Sequence, residues 1–179
     1  MENVFLDSDN TPNLWDYLFN IEEGRRNLGE EMPVVVYRMF EYSMRDVLIE
    51  KYGKEKMIEI IRSAGEKTGR EFFARCLDGS LPLNDYLAQV QQKLIEYKIG
   101  ILRIESFDEE TGRAILTVSE DLDCSGFPMI GETVCNYDEG FIAGLLKAYT
   151  GKEYVAIEID CWGTGDRVCR FDAHIVAEK

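Results

Sequence analysis

The sequence predicts an α+β domain, with helices packed on one face of an antiparallel sheet of about four strands. Three observations predict it. Several segments carry apolar residues at helical spacing, two pairs of strand-like runs are joined by polar, glycine-containing turns, and the order runs helix, hairpin, helix, hairpin. At 179 residues the chain fits one domain with a short appended segment and can bury one core.

Residues 1–32 read as a semi-independent helical segment. Thr11-Pro12-Asn13 suits a helix start, and Leu14, Trp15, Leu18 and Phe19 give that helix an apolar load it cannot bury alone. It must dock on the main body or on a second subunit, and a homodimer contact is expected there. From 33 to 179 the chain reads as the main domain. A helix from Pro33 to about Tyr52 carries Val36, Met39, Phe40, Met44, Val47 and Leu48, and Gly53 closes it. The next, from about Lys54 to Leu77, has Met57, Ile60, Ile61, Ala64, Thr68, Phe72 and Cys76 as its inner stripe, widened by Phe73. Gly65 and Gly69 lie four apart on it and each costs helix stability, so they predict the close approach of another element.

Pro82 suits the first turn of a third helix, to about Tyr97, with Leu83, Tyr86, Leu87, Val90 and Leu94 inward. Residues 100–107 and 112–119 form a hairpin about the polar stretch 108–112. The stretch 120–131, with Gly126, Pro128 and Gly131, is a loop. A helix over about 133–149 follows, with Phe141, Ile142, Leu145, Leu146 and Tyr149 apolar. A last hairpin pairs 153–161 with 167–176 across Gly163-Thr164-Gly165-Asp166.

Charge narrows the partners. Thirty-four acidic against 20 basic residues give a net charge of -14, which repels phosphate backbones and anionic lipid, so neither nucleic acid nor a membrane surface is expected. The N-terminus has no basic segment followed by an apolar run, and no stretch nears the roughly 20 apolar residues that cross a bilayer. The expectation is a cytoplasmic protein whose five cysteines are buried, metal-bound or reactive rather than disulfide-paired.

Three of those cysteines gather near the C-terminus. Cys161 and Cys169 face each other across the final turn, and Cys135 opens a helix whose N-terminal dipole favours its thiolate. Three thiolates make a soft site suited to tetrahedral zinc. For a fourth ligand the neighbourhood offers Glu158, Asp160 and His174. Glu158 and Cys161 are three apart and face opposite ways on a regular strand, so Glu158 qualifies if the strand ends or bulges near Asp160. Three buried, plain thiols are the bland alternative, and a Cys161–Cys169 disulfide is geometrically open.

The segment Cys135-Asn136-Tyr137-Asp138-Glu139-Gly140 with Gly144, then Glu158-Ile159-Asp160-Cys161 and Cys169-Arg170-Phe171, resembles the closing motif of the V4R (4-vinyl reductase, or hydrocarbon-binding) domain. The resemblance spans about residues 33–177 and is carried by the last 45. In sensor members of that family three cysteines and one glutamate hold zinc. The intervals of 23, 3 and 8 between Cys135, Glu158, Cys161 and Cys169 match that pattern and name Glu158 as the fourth ligand. The resemblance further implies a fold related to TRAPP vesicle-tethering subunits and haem nitric-oxide sensor domains. A closed set of four ligands implies a structural Zn²⁺ clamping the last hairpin to the neighbouring helix, with Arg167 and Arg170 either offsetting its charge or simply exposed.

The family relationship implies an apolar or aromatic small ligand between helices and sheet. Phe72, Phe73, Cys76, Tyr86, Leu116, Val118, Phe141, Leu145 and Tyr154 are the candidate lining, each by its stripe placement first of all a core residue. The histidine–tryptophan pair of phenol sensors has no counterpart, since the only histidine is His174 and the tryptophans are Trp15 and Trp162. The 120–131 loop is a candidate lid, and Cys76 and Cys124 have no role in the motif. The leading reading is a one-domain sensor or carrier acting through a downstream signalling protein or dimer rearrangement. Its rivals are an accessory in tetrapyrrole pigment vinyl reduction and a scaffold that binds an acyl chain. No dinucleotide loop or nucleophile–His–acid set supports an independent catalyst.

Overall fold

The helical periodicity becomes four long helices in a computed structural model that describes residues 14–18, 21–108 and 110–176. A 3₁₀ turn (Leu14–Tyr17) and the short α1 (Ile21–Gly24) precede α2 (Val34–Tyr52), α3 (Lys54–Cys76) and α4 (Leu83–Glu96). Then come β1 (Ile101–Phe107), β2 (Ala114–Ser119), α5 (Asn136–Thr150), β3 (Tyr154–Asp160) and β4 (Cys169–Ile175). The helix start expected at Thr11-Pro12-Asn13, and Phe19 with it, lie outside the described residues; Leu14–Tyr17 form one 3₁₀ turn.

The four strands form one antiparallel sheet in the order β1-β2-β4-β3. The two predicted hairpins thus lie side by side, joined where Leu116 pairs with Phe171 and Val118 with Cys169. Period-2 alternation sends Ala114, Leu116 and Val118 of β2, and Cys169, Phe171 and Ala173 of β4, to the buried face.

Helix α5 lies between α3 and the sheet, so it is buried on nearly every side rather than along one stripe. Its approach to α3 is glycine-dependent. A Cβ on Gly65 would lie 2.9 Å from the Phe141 nitrogen, and one on Gly69 3.0 Å from the Leu145 nitrogen, with carbonyl oxygens of α5 closer still. Gly140 and Gly144 of α5 meet the backbone of Arg62 and Glu66 in the same way. The inner stripe of α3 is therefore Met57, Ile61, Gly65, Gly69 and Phe72. Ala64, expected inside, is exposed and Thr68 is half-buried, because the closest line of contact follows the glycines.

Helix α2 reverses a simple expectation. Val36, Met39, Phe40, Met44 and Val47 are exposed, and its buried residues are Glu41 and Arg45. Its inward face is polar because it serves as a hydrogen-bonding wall for the β2–α5 connection. Tyr37 donates to Asp123 Oδ1 (2.8 Å), and Tyr42 to the Asp123 carbonyl (3.1 Å). Arg38 donates to the carbonyls of Leu122 (2.8 Å) and Ser125 (2.9 Å). No helix among the described residues is long and apolar enough to cross a membrane.

Candidate functional site

Glu158 and Cys161 both point inward, and a bulge makes that possible. Glu158 pairs with Phe171, but Asp160 pairs with Arg170, so one residue of β3 goes unmatched and the strand's parity resets. Glu158 is 4% exposed and Cys161 fully buried. Beyond the bulge the backbone N–H groups of Thr164, Gly165 and Asp166 all bond the Cys161 carbonyl, and Gly165 takes φ 108°, a conformation that side chains resist. That turn brings Cys161 over Cys169. Cys135, the N-cap of α5, completes the trio that sequence spacing singled out.

A fourth sulfur joins them. Cys124, which has no role in the sequence motif, comes in from the β2–α5 connection. Its Sγ lies 3.1 Å from that of Cys169 and 3.9 Å from that of Cys161. Cys135 Sγ lies 3.9 Å from Cys161 and 3.7 Å from Cys169. With a Glu158 oxygen these ligand atoms all lie within 4.8 Å of one another, and all five residues are buried. Glu158 Oε2 accepts hydrogen bonds from the backbone N–H of Val134 (3.1 Å) and Cys135 (2.9 Å). Its Oε1 is buried without a hydrogen-bond partner. Burial pushes the Glu158 carboxyl up to about 8, against those two N–H bonds, which favour the anion.

This donor set suits a metal ion. Zinc bonded to sulfur at ~2.3 Å in a tetrahedron spaces its sulfurs about 3.8 Å apart, the separation most of these pairs already have. Contact with the Cys124 thiol is the first cause of the shifts within the cluster: it holds the Cys161 thiol low and pushes those of Cys135 and Cys169 up. His174 is half-buried on β4, 3.7 Å from Asp172, and takes no part in the cluster. Nor do the arginines face it. Arg170 pairs with Glu105 (2.7 Å) and Asp160 (3.1 Å), and the Arg167 guanidinium lies 4.8 Å from the centre of the Trp162 ring.

A polar relay fixes the cluster from behind. Arg45 donates to Asn136 Oδ1 (2.9 Å), whose amide donates to Glu139 Oε2 (3.0 Å), an oxygen that also takes Arg62 (2.5 Å). Glu139 Oε1 then accepts the backbone N–H of Glu158 (2.9 Å). Three helices thereby set the position of the bulged strand.

Beside the cluster, between α4, α5 and the sheet, is a cavity of about 50 Å³. Of the expected lining, Tyr86, Leu116, Val118, Phe141 and Leu145 border it, along with Leu102, Ile104 and Leu146. The others lie elsewhere. Phe72 packs edge-on against Phe141 and Tyr97, and Phe73 against Tyr86. Cys76 faces the Tyr97 hydroxyl at 3.9 Å, and Tyr154 donates to the Gly112 carbonyl (2.9 Å). The lining is apolar except for Asp121 and Asp138. Asp121 Oδ1 accepts the N–H of Asp123 (2.8 Å) and of Cys124 (2.9 Å). Asp138 is 8% exposed and its Oδ2 has no hydrogen-bond partner. Burial, then the charges of Asp121 and Asp123, hold the Asp138 carboxyl well above its ordinary pKa.

Comparison with known proteins decides the family. The V4R domain profile matches residues 114–175. An uncharacterized protein of Methanocaldococcus jannaschii is 30% identical over 154 residues, covering 86% of this chain and 82% of its own. This chain belongs to the V4R family. Solved structures agree on the fold. The phenol-responsive sensory domain of the transcription activator PoxR, solved with phenol, superposes with a TM-score of 0.65 at 15% identity, over 82% of this chain and 76% of that one. A vinyl-4-reductase family protein from M. jannaschii gives 0.61 at 15% identity, over 93% and 98%. Subunit 3 of a trafficking protein particle complex from Naegleria fowleri, covalently bound to palmitic acid, gives 0.64 at 12% identity, over 80% and 95%.

Within this V4R domain, sequence reasoning missed Cys124 because it enters on a loop, where no periodicity links it to the other thiols. It missed Asp121 and Asp138 because each looks like an ordinary surface acid. One signal did exist: Tyr37, Arg38, Glu41, Tyr42 and Arg45 recur at helical spacing, a polar stripe too regular for a solvated face.

Proposed function

We propose that this V4R domain is a sensor or carrier domain for a small apolar or aromatic molecule, braced by a structural zinc ion. The cavity carries the reading: it is walled by aliphatic and aromatic side chains and has two carboxyl groups at one end. Its size favours a small ligand. At about 50 Å³ it is smaller than the ~150 Å³ apolar cavity that admits benzene, so a single ring requires the walls to part. A long acyl chain or a tetrapyrrole would need the core to separate, which weighs against the scaffold and pigment readings. The unpartnered Oδ2 of Asp138 suits a ligand with a hydroxyl or amino group to donate.

Zinc would supply structure rather than chemistry. Held by four protein ligands, it has no open position for water. It would fasten the β3–β4 turn to the start of α5, and removal by a chelator would lower the melting temperature. A second copy of this chain is the proposed partner, supported by the exposed apolar residues of α2, with Met39 at 61% and Phe40 at 67% exposure. Light scattering of the intact chain tests this, and a strict monomer rejects it.

The ligand reading is tested by native mass spectrometry and by titration with phenol, aniline and toluene, on the wild type and on Leu116→Phe, which fills the cavity. Binding to the wild type and its loss in a folded Leu116→Phe are expected. Equal binding to both, or to neither, rejects the cavity as a ligand site.

A further inference from the structure

Five donors converge where a tetrahedral ion takes four. The sequence pattern assigns the fourth position to Glu158; the geometry points to Cys124. We propose that Cys124, Cys135, Cys161 and Cys169 form an all-sulfur site. Glu158 then stands just outside it, holding the first turn of α5 by its backbone. This rests on the zinc reading above.

Three observations carry the assignment. Cys124 Sγ is 3.9 Å from Cys161, matching the 3.9 Å and 3.7 Å separations among the other thiols and the edge of about 3.8 Å that ~2.3 Å zinc–sulfur bonds require. Its 3.1 Å approach to Cys169 is well beyond the ~2.05 Å of a disulfide, and opening to the tetrahedral edge takes less than about 1 Å. Glu158 Oε2, meanwhile, already accepts two N–H groups, from Val134 and Cys135, so the carboxylate is held by the backbone and only Oε1 is open to a metal. Soft zinc sites favour thiolate over carboxylate when both are within reach. Oε1 remains buried and free, so Glu158 is the reserve donor if Cys124 is removed.

The consequence reaches the cavity. Cys124 is anchored to Asp121 through its backbone N–H (2.9 Å), and Asp121 lines the cavity. With Cys124 on the metal, the ion would tie the β2–α5 connection down as a wall of the cavity as well as clamping the last hairpin. A ligand that pushes on Asp121 then strains one metal–sulfur bond.

Cobalt(II) substitution of the full chain tests this, because the sulfur-to-cobalt charge-transfer band reports the number of thiolates. Zinc content of the wild type is measured first. If it is nil, the zinc reading fails, and the coordination proposal with it. If metal is present, Cys124→Ser should lower the charge-transfer intensity by about a quarter while retaining tetrahedral ligand-field bands, as Glu158 takes the vacated position. Glu158→Gln alone should leave the intensity and band positions unchanged, and the double variant should lose the metal. An unchanged band in Cys124→Ser, or a changed ligand field in Glu158→Gln, overturns the proposal. So does a Cys124–Cys169 disulfide found by alkylation and mass analysis of protein prepared under reducing conditions.

Discussion

Replacing Gly140 by alanine tests how the two central helices hold the site. On propensity alone, the change would stabilise an interior helical position by about 1 kcal/mol. The packing demands the opposite. A Cβ at Gly140 would lie 2.8 Å from the Arg62 carbonyl carbon and from the Glu66 nitrogen, and closer still to the Arg62 oxygen. Non-bonded carbon contacts settle at about 3.5–4.0 Å, so α5 must retreat from α3 by about 1 Å. These are backbone atoms on both sides, so no side chain can swing away. A gap of 0.5–1 Å forfeits about a quarter to a half of each dispersion contact along the crossing, and overpacking of this kind costs about 1–3 kcal/mol. Set against the propensity gain of about 1 kcal/mol, this leaves a net loss of up to about 2 kcal/mol. In urea unfolding followed by circular dichroism, with a slope of about 2 kcal/mol per molar, the midpoint should fall by up to roughly 1 M. Because Cys135 caps α5, zinc retention should fall with it. A midpoint raised by roughly 0.5 M would refute the reasoning, since helix propensity alone would then account for the variant.

Other consequences can be measured as directly. Asp138→Asn should reduce the preference for phenol over toluene by about ten-fold, the worth of one buried hydrogen bond; an unaltered ratio in calorimetric titration removes Asp138 from recognition. Arg38→Gln deletes contacts to the Leu122 and Ser125 carbonyls and should cost about 1.5–3 kcal/mol, with faster hydrogen exchange at residues 121–125; unchanged exchange there would show that the loop is held by other means. Burial raises the Glu41 carboxyl from 4.5 to about 8, so the folded chain keeps a proton that the unfolded chain releases between those values. Its contribution to stability is fully present below about pH 4.5 and is lost as pH rises through about 8. Glu41→Gln should therefore gain on the wild type by on the order of a few kcal/mol as pH rises across that window, and a pH-independent difference would count against it.

The sequence by itself determined the element order, both hairpins and the α+β class, because helical and strand periodicities are local properties of the backbone. It also placed Cys161 opposite Cys169 across a tight turn, a local constraint, whereas Glu158 as their companion followed from the resemblance to the V4R motif and needed the β3 bulge to bring it inward. Glycines at 65 and 69 announced a close neighbour without naming it; only the packed structure shows that the neighbour is α5, with its own glycines at 140 and 144. Tertiary structure alone decided which face of α2 turns inward. An apolar stripe signals burial only when another surface covers it, and here the opposite face is needed to satisfy the carbonyls of the 121–125 loop. It alone decided that Cys124 meets the other sulfurs and that Asp121 and Asp138 end the cavity. Those residues come together across loops and between separate elements, where chain spacing carries no record of distance in space.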